Sequence, residues 1–265
     1  MLPRRIHITC GLKPFPVLWG IAIASMMPVT TLAETIEEVE TRLLEAYSNL
    51  QSFSARLKDV EDVPLTAGDY MKSDTDGTVK WMRKRDKILY RMEIKGRSSQ
   101  KFGANENNVE QTSTLVCDGE LFHTLGEQLG YKRYIKQKPD SSINGDFRSM
   151  LDMVRKDNNV RLVPDEKIDG ADCYVVEITP KVKPADDDPM FRTLAWFRKD
   201  IGLSVRVASF NKSGKEVHSH TLLDLKINVP IDAAQFVPPP VPEGVEVTDL
   251  TGIDENPTTN APSTP

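Results

Sequence analysis

Three cysteines and four histidines in 265 residues leave little from which to build a disulfide scaffold or a metal cluster. Proline (18) and glycine (15) are too few for a collagen-like chain, and a 39% hydrophobic content excludes one that is wholly disordered. Also missing are a nucleophile elbow, a phosphate loop, an HExxH pair and a dinucleotide fingerprint. Neither catalytic residues nor a cofactor are therefore expected. Basic residues are outnumbered, 34 against 39 acidic, for a net charge of −5. Such a balance is a poor fit to nucleic acid, whose phosphates demand a basic face.

Long apolar runs are absent except near the start. Arg4, Arg5 and Lys13 precede an uncharged stretch that ends at Ala33, with an apolar segment from Phe15 to Val29 and small residues at Thr31 and Ala33. Basic, apolar, then small is the order of a secretory leader cleaved before Glu34. The alternative is an uncleaved membrane anchor, but Pro14, Pro16 and Pro28 leave only a short uninterrupted apolar piece. Cys10 lacks the residues that precede a lipid-modified cysteine. Loss of the leader's three basic residues takes the net charge to −8. The reading is a leader over 1–33, a domain over 34–250 and a disordered tail rich in Thr and Pro over 251–265. Cys117 and Cys173 remain in an oxidising compartment, each in an apolar, strand-like stretch, as a bridge or as two buried thiols.

What is present is periodicity. Thr35 with Glu38 forms a capping box, followed by Ile36, Val39, Leu43, Leu44, Tyr47 and Leu50 at spacings of three and four. A second helical stripe is Phe147, Met150, Leu151 and Val154, with Asn144 or Asp146 as its cap. From Phe53 the period changes to two, and short strands are expected over 78–85, 87–94, 114–117, 121–125, 160–168, 173–179, 194–198, 204–210 and 217–229. Asp118-Gly119, Asp169-Gly170 and Ser213-Gly214 supply tight turns between neighbours. Two amphipathic helices and nine or more half-wet strands imply a mainly β (α+β) domain, an unclosed antiparallel half-barrel whose apolar face the helices cover.

The residues with chemistry are few. His218 and His220 share a strand face with Leu222, Asp224 and Lys226, which points them to solvent and away from a metal. Asp186, Asp187 and Asp188 lack the spacing of a calcium loop and read as a solvated connection. Strand parity places Val79, Trp81, Arg83 and Arg85 on one face, so an arginine shares that face with large apolar groups. A covered guanidinium needs acceptors, and the carbonyls at a helix end are natural ones. The alternative is that both arginines reach solvent at the strand end.

The pattern resembles the LolA-like periplasmic carriers of outer-membrane lipoproteins, with related receptor and sensor domains. The likeness is carried by Leu50 to Ala55, by Val79 to Tyr90, by Leu115 to Gly119 and above all by a closing stretch. That stretch runs from Asn228 through Ile231-Asp232-Ala233-Ala234-Gln235-Phe236 and Pro238-Pro239-Pro240 to Gly244-Val245-Glu246-Val247. The resemblance implies an apolar cavity for acyl chains beneath a lid bearing Leu43, Leu44, Tyr47, Phe147, Met150 and Leu151. It also implies a gating arginine at Arg85, with Leu89, Trp81 and Val79 beside it; Asp86 stands where the carriers commonly have proline. Implied too are lipoprotein acyl chains or lipid as cargo, an inner-membrane ABC-type release complex, an outer-membrane acceptor and action as a monomer. The rival expectations are a protein-binding sensor domain of the same fold and a hydrolase or metal protein using His123, His218 or His220.

Overall fold

The computed structural model describes residues 34–65, 68–139, 147–182 and 190–252. Helix α1 (Ile36–Ser48) starts at the anticipated capping box: the Thr35 side chain accepts from the Glu38 amide while the Glu38 carboxylate accepts from the Thr35 amide. Six strands follow, β1 (Ser52–Pro64), β2 (Tyr70–Lys84), β3 (Lys87–Phe102), β4 (Asn105–Cys117), β5 (Phe122–Gln128) and β6 (Tyr131–Gln137). After α2 (Phe147–Asp157) come β7 (Asn158–Ile168), β8 (Ala171–Pro180), β9 (Arg192–Arg198), β10 (Ser204–Phe210) and β11 (Glu216–Ile227). A 3-10 turn (Ala233–Phe236) and the short β12 (Val247–Asp249) complete the order. Among the described residues no helix is long and apolar enough to cross a membrane. The leader, the tail from 253, the caps Asn144 and Asp146, the side chains of Phe147 and Met150, and Asp186 to Asp188 lie outside the described residues.

All twelve strands form one unclosed sheet in the order β12-β6-β5-β4-β3-β2-β1-β11-β10-β9-β8-β7. Two antiparallel meanders, β1 to β6 and β7 to β11, are joined by the β1·β11 pair, and only β12 on β6 is parallel. Asp169 and Gly170, at φ 48° and 79°, make the tight β7–β8 turn. Strands β2, β3 and β4 are longer than the alternation signalled, because their far halves are polar on both faces and show no apolar period.

One face carries the lid. Val39 and Leu43 of α1, fully buried, pack with Leu151 of α2 onto Tyr174, Val176, Ala195 and Phe197. The end of α1 packs onto a second cluster of Leu50, Phe53, Ala55, Leu57, Val79 and Trp81. Glu40 ties the helices together, accepting from Arg148 Nε at 2.9 Å and Arg155 Nη1 at 3.3 Å. Gly202 (φ 66°) lets the β9–β10 turn meet α1 backbone to backbone; a Cβ there would lie 2.1 Å from the Leu43 carbonyl oxygen.

The closing stretch straps the opposite face. Phe236, 2% exposed, sits against Leu89 and Val116, flanked by Met82, Ile231 and Ala233. Arg91 donates to the carbonyls of Gln235 and Val237, and the Tyr134 hydroxyl donates to the Pro239 carbonyl. Phe236→Ala should cost about 3 to 5 kcal/mol, the range for deleting a buried phenylalanine ring. Urea denaturation measures it; a loss under about 1 kcal/mol would mean that the strap merely rests on the sheet.

Candidate functional site

The end of α1 poses an electrostatic problem. Its last turn holds no basic residue to meet the negative end of the dipole; the Asn49 and Leu50 amides reach the Ala46 and Tyr47 carbonyls, which leaves the Ser48 carbonyl to find a donor elsewhere. Arg83, on the lid face of β2, supplies both. Its Nη1 donates to the Ser48 carbonyl at 3.0 Å and its Nη2 to the Tyr47 carbonyl at 3.5 Å. The guanidinium lies over the rings of Tyr47 and Trp81, 5.6 Å from each centroid. Trp81 in turn stacks on Phe53 at 5.8 Å. The Asn228 side chain accepts from the Gln51 amide at 2.9 Å and fixes the joint between α1 and β1.

This contact corrects the expectation for Arg85. Lys84 pairs with Lys87, so Arg85 and Asp86 form the two-residue turn of the β2–β3 hairpin, where Arg85 is exposed at φ 57° and outside the strand's parity. Leu89 is also displaced from the lid: it pairs with Met82 on the strap face and packs under Phe236. Arg85 and Leu89 border a hollow of about 580 Å³ beside Phe236 and Val237. Val79 and Trp81 do lie beneath α1, with Tyr47 and, farther along the helix, Leu43 and Leu44. Cys117 and Cys173 are buried free thiols, Cys117 on β4 and Cys173 on β8.

The same floor continues across β3 to β6: half-buried Tyr90, Met92 and Ile94 pack against the second cluster, and half-buried Leu115 and Ile135 extend it. Burial pushes the Tyr90 phenol up to about 12, as suits an apolar surface.

His218 and His220 depart from expectation as well. A bulge in the β1·β11 pairing, with Asp224 at φ 53°, breaks the parity that joined them to Asp224 and Lys226. Both rings instead contact Asp59 Oδ2 at 3.3 Å, on the floor beside Leu57. Asp59 escaped the sequence reading because its partners lie more than 150 residues away, across a non-consecutive strand pair. His123 lies under the strap between Tyr134 and Asp118, each at 3.2 Å. Among the described residues no cluster of His, Cys, Asp or Glu is placed to hold a metal ion.

No family model matches the chain. An uncharacterized protein of Methanocaldococcus jannaschii is 24% identical over 127 residues, 47% of this chain, which spans only 35% of that protein. Solved structures of similar architecture include the MucA/MucB complex of Pseudomonas aeruginosa, at 14% identity and a TM-score of 0.44, covering 76% of this chain and 59% of that one. Another is the LolA superfamily protein NE2245 of Nitrosomonas europaea, at 13% identity and a TM-score of 0.24, covering 77% of this chain and 98% of that one. The fold is an unclosed, mainly antiparallel twelve-stranded sheet with helices packed on one face, as the strand and helix periodicity implied. The floor and its clasp therefore rest on the chain's own residues.

The Asp59 contact predicts a pH dependence. Its hydrogen bonds hold the Asp59 carboxyl well below the usual carboxylate range and raise His218 above the ordinary histidine value. A raised histidine stabilises the fold fully below its unfolded value of about 6.5, and that stabilisation is lost as pH rises through the folded value. The depressed carboxylate contributes above about 3.9 and is lost as pH falls through its own folded value. Thermal unfolding midpoints should therefore fall from pH 6 toward pH 9, and Asp59→Asn should flatten that decline. An unchanged slope in the variant would disprove the pairing.

Proposed function

We propose that the chain is an exported carrier that shelters the acyl chains of a lipoprotein or a related lipid between α1 and the apolar floor, without catalysing a reaction. The observation that carries this reading is the Arg83 clasp. It joins the end of α1 to the sheet through two directed hydrogen bonds, beside a floor whose Met92, Ile94, Leu115 and Ile135 stay only half-buried. The leader-like start of the sequence and the lipoprotein-sorting domain of Vibrio parahaemolyticus among the solved structures of similar architecture accord with it. Transfer in the periplasm as a monomer, from an inner-membrane ABC-type release complex to an outer-membrane acceptor, belongs to the same proposal.

The energetics show why a clasp is useful. An acyl chain of ~14 methylenes gains roughly 11 kcal/mol when fully sheltered, at about 0.8 kcal/mol for each. A cargo with several such chains is released only if a closed empty state competes with it. Charge-assisted hydrogen bonds of about 1.5 to 3 kcal/mol each are a counterweight of suitable size.

A second reading has its own support. Val39, Leu43 and Leu151 are fully buried, so the inner half of the lid is filled by the protein's own side chains, as suits a sensor domain that binds a protein. The MucA/MucB structure is a complex of two proteins.

Titration with a fluorescent fatty acid and with a purified lipoprotein separates the two. The carrier reading expects saturable binding, tightened about fivefold or more in Arg83→Leu because the competing closed state is lost. Absence of saturable binding in both wild type and variant would sink the carrier reading in favour of the protein-binding one.

A further inference from the structure

Strand register assigns each residue of β2 to β6 to one of two faces. The strap face is densely charged, with Lys80, Arg91, Glu93, Lys95, Glu110 and Lys132 among its residues. Across these five strands, all of them described, the lid face carries two charged side chains, Arg83 and Arg133. A merely solvated face would repeat the lysines and glutamates of its reverse. Arg83 is committed to the end of α1. Arg133 has no hydrogen-bond or ion-pair partner among the described residues.

Its surroundings have the form of a polar subsite at the end of an apolar track. One row across the sheet runs Leu57, Gly77, Ile94, Ser113, Gly126 and Arg133, from apolar to cationic. Gly126, directly opposite Arg133, leaves the guanidinium room to lie along the floor; a Cβ there would meet nothing nearer than the Thr112 carbonyl oxygen at 4.0 Å. Arg133 borders a groove of about 150 Å³ with Gln111, Ser113, Thr124 and Tyr131, while Ile94 and Ile135 form its apolar side. Glu127 touches the rim, but register turns it to the strap face, where Lys132 pairs with it at 3.8 Å. No carboxylate on the lid face of β2 to β6 neutralises Arg133, which is exposed and so open to an anion from outside.

We infer that Arg133 receives the anionic head group, phosphate or carboxylate, of an amphiphile whose chains lie on the floor between it and Arg83. The inference rests on the reading of that floor as an acyl-chain site and names the class of ligand: an anionic lipid rather than a neutral one. Guanidinium bonding to a phosphate or carboxylate is charge-assisted and often bidentate, and the flanking hydroxyl and amide groups can take the remaining head-group oxygens.

Calorimetric titration of the protein with dodecyl phosphate, dodecyl maltoside and inorganic phosphate, each amphiphile below its micelle concentration, tests this. Arg133→Gln should weaken dodecyl phosphate about tenfold and leave dodecyl maltoside within about twofold, with Arg133→Lys recovering part of the loss. Equal affinity of wild type and Arg133→Gln for dodecyl phosphate, while both amphiphiles bind, would overturn the head-group role and leave the acyl-chain site standing. Binding of neither amphiphile would overturn both. Inorganic phosphate binding as tightly as dodecyl phosphate would overturn the lipid as the source of the anion.

Discussion

The arrangement depends on how one helix end is satisfied. Helix α1 reaches the sheet with an open Ser48 carbonyl and no basic residue in its last turn, and three separate segments converge on its end. Arg83 takes the Ser48 and Tyr47 carbonyls, Asn228 holds the amides of Gln51 and Ser52, and Gly202 admits the β9–β10 turn to the helix backbone. These segments come from both meanders, so the helix end is also the point at which the two halves of the sheet are held in common. The Arg83 contact is the most readily exchanged of the three. Its donors can turn to water or to other acceptors, whereas the Asn228 bonds are built into the β1·β11 seam.

The second constraint is the segregation of charge by sheet face. Strands β2 to β4 are too long to be covered by the helices, and their reach past the lid is solvated on the strap face by alternating lysine, arginine and acidic residues. The strap stays put because its anchors are buried or bonded: Phe236 between Leu89 and Val116, and Arg91 on two of its carbonyls. That leaves the two faces with different tasks. The strap face is occupied by the chain's own C-terminal segment, while the lid face is apolar along Phe53, Ala55 and Leu57 of β1 and polar toward β5 and β6, where Arg133 is its one charged side chain.

Much of the architecture could be read from local pattern. The capping box, the helical stripes, the one-sided strands and the Asp169-Gly170 turn each depend on residues near one another in sequence. The site was less legible because register and bulges are not local. Parity carried Arg85 onto the face of Trp81, yet the strand ends at Lys84 and the turn spends Arg85, so the helix-end contact falls to Arg83, two residues earlier. The bulge near Asp224 likewise moved the histidines from solvent to Asp59. The β5–β6 turn places Leu129 at φ 54°, a position that turn chemistry assigns to Asn or Asp, and β6 was missed with it. Arg133 was hidden for the same reason: only the pairing of β5 with β6 shows that it faces Gly126 and shares a surface with Ile94.

The two arginines of the lid face make opposite demands on an occupant. In the closed state Arg83 is satisfied by the helix and Arg133 by water. If α1 lifts, Arg83 loses its carbonyls and keeps Trp81 beneath it, a cation at the margin of an apolar surface that must find acceptors or solvent. Opening therefore carries a polar cost as well as exposing apolar area. A purely hydrocarbon ligand offsets only the second of these. An amphiphile laid between the arginines offsets both, with chains against Met92, Ile94 and Leu115 and oxygen-bearing groups toward the two ends. Between the two arginines, from β2 to β6, the surface holds no further charge, and a lysine or glutamate there would add a desolvation cost under any apolar cover.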